Sequence, residues 1–450
     1  MTTTQITGYR EPRSGATINS MFGPNWFSCV MGTGIVAIAA ATLPVTVPGL
    51  HTAATVVWAL AAALLLAVLT AFALRGTSHS DDPVLVQFWG APPMALMTVG
   101  TGALLLGRDW IGESAAVGVD LVLWGAGTAL GLAVAVAVPF KMITGQNAEP
   151  DAAFGGWLLP VVPAMVSASA GALLVPHVGF GREMLLGCYA LAGLSLFAAI
   201  MVITQIWARL VRHPLGAARL VPTLWIVLGP LGQSVTAFHL LGRSAQAVLD
   251  EPYAGGAEVF ALLYGVPALG FALFWAALVA AITVRTARAG LPFSLSWWSF
   301  TFPVGTVVTG ASGVAVRSGS VLFTAVAVIL YGGLLAAWAV VAVRTVRGLG
   351  RGELLLPSPS SRPAGVALAR GAGGDRLLLA TVGLDRDDPG LFERATGERE
   401  PGAVRRPRRI HLAGRVVGER TRVAAIRADQ PDVGDARPGE PGVGDRAAIR

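Results

Sequence analysis

Residues 297–316 read WWSFTFPVGTVVTGASGVAV, and residues 321–340 read VLFTAVAVILYGGLLAAWAV. Both are uncharged and long enough to cross the roughly 30 Å of hydrocarbon in a bilayer, which takes about 20 apolar residues. Their compositions differ in kind. The first contains Pro303, Gly305, Gly310 and a series of Ser and Thr; the second is almost entirely Ala, Val, Leu and Ile with two glycines.

The same pairing recurs back toward the N-terminus. Apolar runs at roughly 22–45, 52–74, 86–107, 115–139, 153–175, 184–208, 220–241, 258–284, 296–316 and 320–343 predict ten spanning helices. Their short connections predict antiparallel neighbours, so the expected fold is an all-α membrane protein of five helical hairpins. Every odd span carries helix breakers and hydroxyls: Gly32, Thr33 and Gly34; Pro93, Thr98 and Thr101; Pro160, Pro163 and Ser167; Pro230, Gln233 and Thr236; Pro303 and Thr306. A proline inside a spanning helix frees a carbonyl and kinks the axis, which hydrocarbon does not tolerate. These residues are therefore expected to line or kink an inner ring of five odd helices around a central pore. The even helices form an outer ring against lipid. Close packing through small residues explains part of the same pattern.

Composition agrees with a membrane body. Of 450 residues 54% are apolar and 13% charged, and the mean hydropathy is +0.64. Soluble chains carry about a quarter of their residues as Asp, Glu, Lys and Arg, so a soluble multidomain enzyme is excluded as the leading reading. Residues 1–350 hold only 15 of the 33 basic and 12 of the 26 acidic residues. The chain thus divides into a polar N-terminal segment (1–20), a transmembrane domain (21–347) and a polar tail (348–450). The tail is rich in Gly, Pro, Arg and Asp without periodicity, and disorder is expected there, with transient helix at Leu377–Leu379 and Val423–Ile426. The net charge of +7 is spread over body and tail, which argues against a nucleic-acid partner. Residues 1–20 are too polar for a cleavable signal.

Arginines orient the spans. Counting alternate connections, one side holds Arg10, Arg13, Arg75, Lys141, Arg209, Arg212, Arg219, Arg285, Arg288, Arg344 and Arg347; the other holds Arg108, Arg182, Arg243 and Arg317. The bias places both termini in the cytoplasm of a multi-pass protein of the plasma or inner membrane. Trp26, Trp110, Trp297 and Trp298 lie near span ends, where indoles anchor at the interface.

The odd spans contain no acid, no Lys or Arg, and no mid-membrane His. Asp120 and His239, near span ends, read as interfacial polar groups. A neutral, hydroxyl-lined path with a basic cytoplasmic rim suits a small anion better than a cation, which needs acidic rings or dense carbonyls. Cys29 and Cys188 fall inside apolar runs and read as buried hydrophobes, so no metal or cofactor is expected. No phosphate loop, His-Glu-x-x-His or Gly-x-Ser-x-Gly occurs in the spans, which argues against an ATPase or intramembrane enzyme.

Four motifs carry a family resemblance: Pro24-Asn25-Trp26-Phe27-Ser28-Cys29-Val30-Met31-Gly32-Thr33-Gly34, Trp157-Leu158-Leu159-Pro160-Val161-Val162-Pro163, Leu228-Gly229-Pro230-Leu231-Gly232-Gln233, and Trp297-Trp298-Ser299-Phe300-Thr301-Phe302-Pro303. On four odd spans and in order, they resemble the tellurite-resistance/dicarboxylate transporter family, which includes plant slow anion channels, yeast malate permeases and fungal sulfite efflux pumps. The resemblance covers roughly residues 22–345. It implies a homotrimer, each protomer with its own pore closed by a phenylalanine on the ninth helix. The matching position is Phe302, with Phe300 as the fallback. The implied substrates are C4-dicarboxylates such as malate, sulfite, or tellurite-type oxyanions. The alternatives are a proton-gradient-coupled sulfite exporter and a non-transporting membrane receptor or scaffold.

Overall fold

The computed structural model describes residues 23–75, 83–145, 152–351, 354, 366–370, 377–381 and 414–416. By its contacts the chain separates into two units, Met1–Leu356 and Pro357–Arg450. Arg10 and Arg13 lie outside the described residues.

The first unit contains α1 (Phe27–Thr42), α2 (Leu50–Arg75), α3 (Ala91–Gly102), α4 (Glu113–Thr144), α5 (Val162–Leu174), α6 (Gly181–Arg212), α7 (Leu228–Val248), α8 (Tyr253–Gly290), α9 (Phe302–Ser318) and α10 (Val321–Gly350). A wide turn at Ala103–Gly107 carries α3 on to Arg108–Ile111. Among the described residues nine stretches are long and apolar enough to cross a membrane. The fifth expected span differs. Its regular part, α5, has 13 residues, or about 20 Å at 1.5 Å per residue, and tighter 3-10 turns at Gly155–Leu158 and Val175–His177 extend it.

The odd helices share a construction that the even ones lack. Each begins after a 3-10 segment: Pro24–Trp26, Leu85–Gly90, Gly155–Leu158, Ala218–Val227 and Leu295–Phe300. This corrects the expectation of kinks. Pro93, Pro163 and Pro303 occupy the first turn of α3, α5 and α9; Pro230 is the third residue of α7; Pro160 lies in the turn before α5. A proline in a first turn removes no intrahelical hydrogen bond, and its fixed φ suits helix initiation. These prolines start helices inside the bundle rather than bend continuous ones.

Burial follows the same division. In the spans built on α1, α3, α7 and α9, 72% to 89% of the apolar stretch is buried, against 17% to 28% in α2, α4, α6, α8 and α10. Every residue of α5 except Leu173 is buried. Each odd helix packs on the even helix that follows it, and α1 packs on α3, α3 on α5, α5 on α7, α7 on α9 and α9 back on α1. The inner five close a ring. Indoles bolt the outer helices to it. Trp58 Nε1 donates to the Val99 carbonyl (3.0 Å), Trp124 Nε1 to the Ser167 carbonyl (2.9 Å), Trp275 Nε1 to the Leu224 carbonyl (3.0 Å) and Trp338 Nε1 to Thr33 Oγ1 (3.2 Å).

Among its described residues the second unit holds a three-stranded antiparallel sheet: β1 (Val366–Arg370), β2 (Leu377–Thr381) and β3 (Gly414–Val416), in that spatial order. Leu377–Leu379 is strand, not helix, pairing with Ala369, Leu368 and their neighbours. A run of three leucines fits either state. Val423–Ile426 lies outside the described residues.

Candidate functional site: a divided cavity inside the inner ring

A cavity of about 270 Å³ lies inside the ring. All five odd helices line it, and no even helix does. Ile35, Ile38 and Thr42 come from α1, Thr98 and Thr101 from α3, and Val166 and Ser169 from α5; Gln233, Thr236, His239 and Arg243 come from α7, and Phe302, Thr309 and Ser312 from α9. Apart from Phe302, the first residue of α9, these residues lie beyond the first turn of their helices. A second, much smaller cavity of about 20 Å³, room for roughly one water, lies among the first turns: Ser28, Met31, Met94, Val162, Gly229, Trp298, Ser299 and Pro303. Phe302 is the single residue common to both cavities. It is 3% exposed and reaches both spaces.

The polar groups of the larger cavity are mostly satisfied by the ring itself. Thr98 Oγ1 donates to the Met94 carbonyl (2.7 Å), Thr42 Oγ1 to the Ile38 carbonyl (2.9 Å) and Ser312 Oγ to the Val308 carbonyl (2.8 Å). The Thr236 and Thr309 hydroxyls, 2.7 Å apart, tie α7 to α9. Gln233 Nε2 donates to Ser169 Oγ, tying α7 to α5, while Gln233 Oε1 has no partner among the described residues. Donation to the same helix's own backbone lets a hydroxyl sit in an apolar wall without an unsatisfied proton. Glycines set how tightly the ring closes. A Cβ on Gly232 of α7 would lie 2.5 Å from the Thr306 carbonyl carbon of α9, so the two helices touch backbone to backbone.

Of the residues expected to line the pore, the structure brings Thr98, Thr101, Gln233, Thr236 and Phe302 to the larger cavity and Pro303 to the smaller. The others face elsewhere. Gly32 sits under Thr301 Oγ1 and Trp298, both too close for a Cβ, and Gly34 against Thr98 Cγ2, which would lie 2.6 Å from a Cβ. Thr33 accepts from Trp338 of α10. Ser167 Oγ pairs with Thr128 Oγ1 of α4 at 2.6 Å, and Pro93 and Pro163 pack on Gly127 and Gly131 of the same helix. Thr306 Oγ1 turns to carbonyls of α7, Leu228 at 3.2 Å and Gly229 at 3.3 Å, and to its own Pro303. Pro160 and Pro230 are buried at helix starts and line neither cavity. Phe300 lies outside both cavities, its ring edge-on to Trp225 and Trp297 at 5.5 and 5.6 Å.

The chain has relatives in sequence. The family described as voltage-dependent anion channel matches residues 21–346. The chain belongs to that family. An uncharacterized transporter of Methanocaldococcus jannaschii is 28% identical over 346 residues, covering 74% of this chain and 95% of the relative. A sulfite efflux pump of Arthroderma otae is 28% identical over 349 residues (73% and 90%), and one of Trichophyton rubrum is 30% identical over 311 residues (65% and 81%). Membership of the voltage-dependent anion channel family, together with the apolar spans, makes the chain a multi-pass membrane protein of anion transport. These relatives are named as transporters and pumps rather than enzymes.

His239, Arg243, Ser169, Thr309 and Ser312 also line the larger cavity, beyond the residues expected there. The signal was present for the α7 pair. Gln233, Thr236, His239 or Leu240, and Arg243 recur every three or four residues, which is one face of a helix. Asp120 and the tryptophans also differ from expectation. Asp120 is fully buried, with neither carboxylate oxygen partnered among the described residues, and it faces Gly100 of α3. Trp26 and Trp298 are 4% exposed and packed inside; Trp110 is exposed, as an interfacial anchor should be. Trp297 stacks under Arg344, whose guanidinium carbon lies 4.6 Å from the ring centre.

Proposed function

We propose that the chain carries small anions across the plasma or inner membrane through the space inside the odd-helix ring, and that Phe302 is its gate. One observation carries this reading: Phe302 is the one residue that lines both the larger cavity and the smaller one. An anion passing an apolar constriction sheds water, and the cost of a bare charge in such surroundings is several kcal/mol. Rotation of the ring about χ1, or its removal, widens the passage and lowers that cost. The polar groups above the ring are hydroxyls, an amide and two bases, with no acid among the lining residues. Most of the hydroxyl protons are donated within the ring, so an acid-free lining with its two bases, rather than free neutral donors, is what suits an anion.

Sulfite leads the candidate substrates because several relatives are named as sulfite efflux pumps; C4-dicarboxylates and tellurite-type oxyanions are the other members of the class. Both termini face the cytoplasm on the arginine bias, which sets the larger cavity toward the outside. The protein assembles as a homotrimer, its even helices meeting lipid and sister protomers. A proton-coupled sulfite exporter is the second reading, favoured by the unpartnered Asp120 carboxyl buried against α3.

The test is uptake of labelled sulfite, malate and chloride into liposomes carrying the full chain. Phe302→Ala should raise the initial rate for the favoured anion at least about tenfold, a barrier change of about 1.4 kcal/mol. An unchanged rate overturns the gate. Dependence of sulfite flux on an imposed pH gradient, lost in Asp120→Asn, would favour the coupled reading over the passive one.

A further inference from the structure

Resting on that reading, we propose that Arg243, with His239 one turn nearer the gate, is a binding site for small oxyanions at the mouth of the larger cavity, where the permeating ion is held on the outer side of Phe302. The residues lining that cavity include only two ionisable side chains, these two, and both belong to α7. They continue the polar face that begins at Gln233 and Thr236, so one wall of the cavity is a ladder of polar groups running from the gate to the mouth. The α1 wall, by contrast, is Ile35, Ile38 and Ala41 before Thr42.

Arg243 is also uncommitted. At this end of the bundle the ion pairs among the described residues are Arg108–Asp109 at 3.9 Å and Arg317–Glu258 at 2.9 Å. Glu258 holds Arg317 with a second contact of 3.0 Å, so the nearby carboxylate is spent on a different arginine. Arg243 takes part in neither pair and is exposed. His239 is held in place by close packing on Gly313, where an added Cβ would lie 2.7 Å from its Cδ2. An unpaired guanidinium at the rim of an acid-free cavity attracts anions, and its planar fork matches two oxygens of an oxyanion. A halide has no second oxygen to accept the fork. The site therefore favours sulfite or a carboxylate over chloride.

Concentration-dependent uptake into liposomes tests this, with the full chain and with sulfite and chloride as probes. Arg243→Gln should raise the sulfite KM about tenfold while the maximal rate stays within about twofold. Arg243→Lys, which keeps the charge and loses the fork, should raise the KM for sulfite and leave that for chloride unchanged. Arg108→Gln, at the same end of the bundle and outside the cavity, should change neither. A sulfite KM unmoved by Arg243→Gln overturns the site, as does an equal rise in Arg108→Gln, which would mark a general surface potential. Calorimetric binding of sulfite to the purified protein separates this site from the permeation reading. Binding lost in Arg243→Gln supports the site even where liposomes show no flux, and equal binding by both proteins overturns it.

Discussion

The helices α7 and α8 are the two arms of one hairpin, and they were built for opposite surroundings. The inner arm starts late, after a ten-residue 3-10 segment, and carries Pro230, Gln233, Thr236, His239 and Arg243. The outer arm runs 38 residues without a break and keeps 28% of its apolar stretch buried against 72% for the inner span. The contrast teaches where each kind of residue belongs. Backbone left open by a 3-10 start needs protein around it, and the outer arm supplies some: Trp275, fully buried, gives its Nε1–H to the Leu224 carbonyl of the inner arm's 3-10 segment. The inner arm, and not the outer one, presents polar side chains to the enclosed cavity, which is why the proposed path runs along it. The outer arm closes and braces that space.

The sharpest way to break this comparison is at Gly232, where α7 meets the α9 backbone. Gly232→Leu forces the two helices apart, since the nearest atoms to a Cβ are main-chain atoms of Thr306 and Val307 that have no rotamer to change. Overpacking typically costs 1–3 kcal/mol and more where backbone must shift; about 3 kcal/mol is expected here. The readout is loss of a monodisperse peak after mild heating in detergent. A variant as stable as the parent would show that the inner ring is looser than the contact implies.

A smaller effect tests the brace. Trp275→Phe keeps an aromatic ring but leaves the Leu224 carbonyl without its donor. An unsatisfied buried acceptor costs about 1–3 kcal/mol, so a fall of about 2 kcal/mol is expected in thermal stability, with anion uptake by the surviving protein largely retained. Uptake abolished in a well-folded Trp275→Phe protein would move function onto the outer arm and blur the division.

Much of this was legible in the sequence, and the residues that were misread show why. The ten helices and the odd–even division follow from run length and from where Pro, Gly and hydroxyls fall. Thr98, Thr101, Gln233, Thr236 and Phe302, which line the larger cavity, are legible as candidates because polar or motif residues on an inner helix stand out. The rotation of each inner helix was not legible. A helix buried on all sides has no polar face to give its phase, so Thr33, Ser167 and Thr306 counted as lining although they point to α10, α4 and α7. Arg243 was lost for a different reason. The apolar run ends near residue 241, whereas α7 continues to Val248, and its last turns looked like a loop. The prolines were misread because a helix start and a helix kink share one residue type, and only the backbone distinguishes them.

The smallest expected effect sharpens the comparison most cleanly. Gly270 lies on the exposed face of α8, and nothing stands within 4 Å of a Cβ built there. Alanine at a helix interior position is favoured over glycine by up to about 1 kcal/mol, so Gly270→Ala should raise thermal stability slightly, by about 0.5 kcal/mol, and leave uptake unchanged. The same glycine-to-alanine change at Gly232 must do the reverse, because there the added methyl meets backbone. Opposite signs from one chemical change on two arms of one hairpin would fix the division to the surroundings rather than to the residue. A destabilised Gly270→Ala would mean that this face of α8 is covered in the assembled protein, and the outer ring would then be contact surface between protomers as well as a lipid-facing one.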